Sequence, residues 1–279
     1  MIPVKPEVIL EFTPAGDYIG FVPKGFQGNI GGKRGSISEF TNRSRSRLLK
    51  KISQLSKNNN PLFVTLTYHN DYPGDYEGYK YDLHRFFISL RNHFPEVGII
   101  WKLEFQKRGA PHFHLLMWGV DLSEGMDFIP REWNRMVSPG DEIHLKWHRG
   151  EYQNKPCVQL IKSWNGVKAY AAKEMGKTQG LAEQPGRFWG LRGNVPLSLI
   201  KKFRMDIEVA LEIKKAHQRI TGFETKRLGY WCYGYIEKLV DYAVMKQEEF
   251  ENAGIPDDFP PGWYRVYKPE IFGYAERKD

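Results

Sequence analysis

The sequence has little cysteine, no long apolar run and no internal repeat. Cys157 and Cys232 are its only cysteines, too few for a disulfide framework or a cysteine-built zinc site. A reduced compartment is therefore expected. Uninterrupted apolar stretches reach only a few residues, as at 98–101, far short of the roughly 20 that cross a bilayer. No membrane partner is expected. The opening Met-Ile-Pro-Val-Lys-Pro-Glu lacks the basic-then-apolar order of a secretory signal, which points to a cytoplasmic protein.

What is present excludes global disorder. The 279 residues are 41% hydrophobic and 14% aromatic, enough to bury a core. With 41 Lys and Arg against 33 Asp and Glu, the formal charge is +8 and the pI is about 9.2. A positive surplus attracts polyanions, most effectively where it is clustered. It is clustered between residues 33 and 57, where Arg43, Arg45 and Arg47 accompany five other cations against the single acid Glu39. Such a stretch reads either as a solvated helix face or as a surface that holds phosphates.

Along the chain, residues 8–12 and 18–22 read as paired short strands, and 38–55 as a basic helix with Phe40, Leu48, Leu49, Ile52 and Leu55 at helical spacing. Phe63-Val-Thr-Leu-Thr-Tyr68 is β-branched and aromatic, as a buried strand requires. Asp82 is a candidate cap for a helix carrying Leu83, Phe86, Phe87 and Leu90. Residues 99–106 and 112–119 read as two strands joined by the Gly-containing loop Lys-Arg-Gly-Ala-Pro. Helices are expected over 166–177, within 197–219 and over 239–250. Hairpins and helices without regular βαβ alternation predict an α+β fold with a mostly antiparallel sheet. The expected organisation is an N-terminal hairpin and basic helix at 1–60, packed on or part of a core at 61–195, and a mainly helical extension at 196–279.

The most informative segment is Glu104-Phe-Gln-Lys-Arg-Gly-Ala-Pro-His112-Phe-His114. Residues two apart on a strand share a face, so His112 and His114 project together while Phe113 turns to the other side. In an even hairpin register Glu104 joins them. Two imidazoles and a carboxylate make a three-point site for a divalent metal. His144 and His148, four apart, read as structural, because no carboxylate or cysteine stands beside them in sequence. Tyr170, Lys173 and Lys177 recur at three and four, one face of a helix. A phenol flanked by ammonium groups can act as a phosphate-directed nucleophile, since the cations lower its pKa.

These segments resemble the HUH endonucleases, and among them the rolling-circle replication initiators of phages, plasmids and single-stranded DNA viruses. Phe63-Val-Thr-Leu-Thr-Tyr68, His112-Phe113-His114 and Tyr170-Ala-Ala-Lys173 reproduce that family's order of a Thr-rich strand, His-hydrophobic-His and Tyr-x-x-Lys. The resemblance implies an RRM-like sheet flanked by helices. It also implies Mg²⁺ or Mn²⁺ held by His112, His114 and Glu104, with Tyr170 as nucleophile and Lys173 steadying the phosphate. Glu174 stands where some phage members carry a second tyrosine, so the pattern is that of a single-tyrosine enzyme. The implied partners are single-stranded DNA at a replication origin, a host helicase and a host polymerase. Lys107, Arg108, Lys177, Arg43, Arg45 and Arg47 are the expected DNA contacts.

Trp189, in Gly186-Arg-Phe-Trp-Gly190, is open between base stacking and core packing. Residues 171–178 satisfy a relaxed P-loop pattern, but no hydrophobic strand runs into them, so no nucleotide cofactor is expected. Tyr235-Ile-Glu-Lys238 is a reserve Tyr-x-x-Lys. Two other functions fit the same motifs: a single-tyrosine transposase, and a sheet protein that binds single-stranded nucleic acid without cleaving it. If the charge surplus holds DNA, affinity for a single-stranded oligonucleotide should fall by about tenfold or more between roughly 50 and 200 mM salt. Anisotropy titrations measure this, and a salt-independent affinity would refute it.

Overall fold

The computed structural model describes residues 7–12, 18–23, 37, 39–55, 60–162, 186–206, 211, 214–215, 230–233 and 263–265. In chain order the elements are β1 (Glu7–Phe12), β2 (Tyr18–Pro23), α1 (Asn42–Ile52), β3 (Leu62–Thr67), α2 (Tyr76–His93), β4 (Gly98–Phe105), β5 (Pro111–Trp118), α3 (Leu122–Val137), α4 (Glu142–Arg149), β6 (Val158–Leu160), β7 (Trp189–Gly193), β8 (Lys201–Asp206), β9 (Tyr230–Tyr233) and β10 (Trp263–Arg265). The chain divides into two compact units, Met1–Gly32 with Leu197–Asp279, and Lys33–Pro196. The fold is α+β, as the sequence predicts.

The first unit holds a sheet in the order β10-β8-β1-β2-β9. β1 pairs antiparallel with both β2 and β8, and Glu11 meets Lys202 at 3.5 Å across the β1–β8 pair. The sequence predicts a long helix within 197–219; residues 201–206 are instead a strand. Phe203 and Met205 alternate with Lys202, Arg204 and Asp206, a period of two that the longer helical pattern conceals. The helix expected over 239–250 lies outside the described residues.

The second unit is built on an antiparallel sheet in the order β6-β3-β5-β4-β7. One face carries Leu66, Leu103, Phe113 and Leu115, buried against Leu83, Phe86 and Leu90 of α2 and Ile129 and Trp133 of α3. Apolar burial of this kind contributes most of the driving force for folding. Helix α2 begins earlier than its apolar positions suggest. Its cap is Asp75, which accepts from the Gly78 amide, and Asp82 instead accepts the Tyr68 hydroxyl at 3.0 Å inside the helix. α3 and α4 are absent from the sequence reading, because Gly125, Pro130 and the Pro139-Gly140 pair break up their patterns. Among the described residues no helix is long and apolar enough to cross a membrane.

Two glycines are required by close approach. At Gly109 the hairpin between β4 and β5 takes φ +84°, a backbone state that glycine adopts without penalty. At Gly98, where β4 passes β7, an added Cβ would lie 2.3 Å from the Asn194 carbonyl oxygen. Backbone cannot yield as a side-chain tip can. Gly98→Ala should therefore cost about 1–3 kcal/mol, the range for forced overpacking, and lower the thermal midpoint by several degrees. An unchanged midpoint would show that the β4–β7 pairing is not this tight.

Candidate functional site

The second face of the same sheet is polar at one end. Antiparallel pairing sets Glu104 directly opposite His112, Lys102 opposite His114, and Thr67 and Thr65 opposite His112 and His114 on the other flank. Paired residues share a face, so the register that the sequence reading required is the one formed. The two imidazole rings lie 4.5 Å apart at 80°. Phe63 stacks on His114 at 5.4 Å.

Lys102 is a member of this cluster that sequence reasoning missed. Its side chain is 1% exposed, and its ammonium bonds Glu104 Oε1 at 2.5 Å. It also lies 5.2 Å over the Phe40 ring. A buried charge needs such a partner, because leaving water is otherwise too unfavourable. Burial pulls the Glu104 carboxyl upward, but hydrogen bonds from His114 and Lys102 and the nearby ammonium outweigh it and hold the group at about 2. Glu104 is therefore a carboxylate throughout the neutral range.

The hydrogen bonds assign the imidazole protons. His114 Nε2 lies 3.5 Å from Glu104 Oε2, a carboxylate that can only accept, so Nε2 carries the proton. Its Nδ1 then accepts from the Thr65 hydroxyl at 3.4 Å. Gln106 Oε1 accepts from Arg108 Nε at 2.9 Å, which turns the amide NH₂ toward His112 Nδ1 at 3.4 Å. In neutral His112 the proton is thus also on Nε2. The donor types suit a divalent ion, yet among the described residues no group of three or more His, Cys, Asp or Glu is arranged to hold one. Glu104 is committed to Lys102, and both Nε2 atoms carry protons. Taking an ion would require Glu104 to leave Lys102 and the imidazole protons to be released or moved.

The other predicted residues are distributed as follows. Lys107 is exposed at the hairpin turn. Arg108 is folded back onto the protein, bonded to Gln106 and to the carbonyls of Tyr68 and Asn70, with its guanidinium over Tyr72. Arg43 and Arg47 are exposed on α1, and Arg45 is half-buried. That helix is attached near the site, since Ser44 accepts the Trp189 indole N–H at 2.9 Å and Phe40 packs on Phe188. Trp189 is therefore tied into the structure by its polar atom. Tyr170, Lys173, Lys177 and the reserve Tyr235 lie outside the described residues.

His144 and His148 are buried, as the structural reading has them. His148 accepts the Thr67 amide at Nε2 (3.4 Å) and donates from Nδ1 to the His144 carbonyl (3.1 Å). His144 donates from Nε2 to the Thr67 carbonyl at 3.1 Å, and Trp133 donates to that same oxygen at 2.7 Å. Sequence spacing gives no warning of their neighbours. Asp141 caps α4 and bonds His69 at 2.6 Å, although the two are 72 residues apart. Cys157 is buried, which pushes its thiol up to about 12 and leaves it unreactive.

Fold and face together define a class: an α+β protein whose antiparallel sheet presents two histidines, a carboxylate and an ammonium on one side. Residues 61–179 match a family model described as Replication-associated protein ORF2. The matched segment contains β3, β4 and β5 and so the whole polar cluster, and its similarity supports a role in starting replication. No curated protein and no solved structure matches the chain.

Burial, reinforced by the neighbouring His144, lowers His148 from the ordinary imidazole value of 6.5 to about 4. Between those values the unfolded chain binds the proton and the folded one does not, so folded stability is full above about 6.5 and is lost as pH falls toward 4. The thermal midpoint should decline across that window, and His148→Gln should flatten the decline. An equal slope in both proteins would remove His148 as its source.

Proposed function

We propose that the chain is a site-specific single-stranded DNA endonuclease and strand transferase of the HUH kind, which initiates rolling-circle replication. The observation that carries this reading is the placement of Glu104 across from His112, beside His114, within a segment similar to replication-associated proteins. Tyr170 is the proposed nucleophile. Its oxygen bonds to phosphorus, the bond from phosphorus to the 3′ oxygen breaks, and the phenol proton passes to solvent or a nearby base. The products are a 5′-phosphotyrosine and a 3′-hydroxyl that a host polymerase extends, with a host helicase opening the duplex. The phosphodiester bond energy is kept, so the same site can rejoin strands. Lys173 steadies the phosphate charge, while Lys177, the exposed Lys107 and the arginines of α1 hold the DNA backbone.

Mg²⁺ or Mn²⁺ is the proposed cofactor at His112, His114 and Glu104, where it would polarise a non-bridging phosphate oxygen. A second reading, nucleic-acid binding without cleavage, is favoured by one observation: Glu104 is bonded to Lys102 and not turned to an open coordination position.

Incubating the protein with single-stranded origin DNA and Mn²⁺, followed by a denaturing gel, separates the two. The nickase should give a mass-shifted adduct that disappears in Tyr170→Phe, while DNA binding persists. An adduct in Tyr170→Phe would overturn the assignment of the nucleophile. Excess EDTA should abolish the adduct, and an unchanged rate would refute the metal. Failure to form any adduct on its origin would favour the binding reading.

A further inference from the structure

We propose that the cavity between the end of β3 and helix α4 receives one unstacked base of a single-stranded DNA bound at the His112 face. This inference rests on the DNA reading above and adds a site to it. The cavity encloses about 270 Å³ and is lined in part by His69, His144, Gln106, Ile143, Trp147 and Tyr152. Three large side chains stand exposed along it: Trp147 is 42% exposed, Tyr152 51% and Ile143 58%. Adjoining exposed apolar groups of this size, set in a concavity, mark a binding surface more often than chance decoration.

The walls are rings, and several are fixed in place before any ligand arrives. His69 stacks on His144 at 5.8 Å with an interplanar angle of 10°. Asp141 fastens His69, while Asn134 and the Thr67 carbonyl hold His144. Trp147 lies edge-on to the buried His148 at 5.3 Å, and its carbonyl accepts from the Asn154 amide at 2.8 Å. Rigid ring faces suit a flat ligand, because little order must be imposed on binding. They do not suit a phosphate. The one guanidinium lining the cavity, that of Arg108, is already bonded to Gln106 and to two backbone carbonyls.

Position selects the occupant. Gln106 lines this cavity and also contacts His112, so an occupant sits one side chain from the proposed reaction face. A base flanking a phosphate at that face has a π-surface whatever its identity, and aromatic side chains stack on any base.

The test compares two labelled probes at one salt concentration: a mixed-sequence single-stranded oligonucleotide, and a sugar-phosphate oligonucleotide of equal length without bases. Trp147→Ala with Tyr152→Ala should weaken the first by about tenfold, the scale of one lost stack, and leave the second unchanged. Trp147→Phe with Tyr152 intact should retain most of the affinity. Both side chains are substantially exposed, so the double variant should keep the wild-type thermal midpoint. Equal weakening of both probes, or of neither, would overturn the pocket while leaving DNA binding in place. A wild-type protein that binds neither probe would overturn the DNA reading and the pocket with it.

Discussion

Everything at the polar face depends on the register of one hairpin. β4 and β5 are paired so that Glu104 meets His112 and Lys102 meets His114. A slip by one residue would carry both histidines into the layer now filled by Leu103, Phe113 and Leu115, and push those side chains to the polar side. The apolar face supplies the restoring force. Phe113 and Leu115 are fully buried beneath α2 and α3, so burial of the core and placement of the imidazoles are enforced by the same packing.

The cluster held by that register is electrostatically closed. Lys102 neutralises Glu104, and Thr65 and Gln106 each present a donor to an imidazole Nδ1. A threonine hydroxyl can turn from donor to acceptor by rotation alone. Gln106 can do the same only by giving up its bond to Arg108. The two histidines therefore differ in how readily their protons can be moved, although they sit two residues apart on one strand. That difference arises from the flanking strand and the hairpin loop, not from the His-Phe-His motif itself.

The strands of the site were legible in the sequence because each combines β-branched and apolar residues with clear breaks, as in Phe63-Val-Thr-Leu-Thr-Tyr68 between Pro61 and Pro73. Glu104 was legible too, since strand alternation and a short loop fix its side. Lys102 was not. A lone lysine in an apolar strand has no local pattern, and only pairing with His114 reveals that it faces the carboxylate. His69 and Asp141 were hidden by their separation in the chain, and Trp147 and Tyr152 by the irregular stretch in which Pro130 and Gly140 obscure two helices. The start of α2 was misplaced because Asp82 has the right chemistry for a cap but is used as the Tyr68 partner. The strand at 201–206 was concealed by a longer stretch compatible with a helix.

The end of β3 is anchored in an unusual way. The Thr67 amide and carbonyl are engaged by the side chains of His148, His144 and Trp133. A strand end usually frays into solvent independently of distant helices. Here the last peptide groups of β3 cannot open without also freeing indole and imidazole groups from α3 and α4. The strand terminus and those two helices thus form one cooperative unit of opening, and protection of the Thr67 amide from solvent exchange is set by packing far along the chain and not by its sheet neighbours alone.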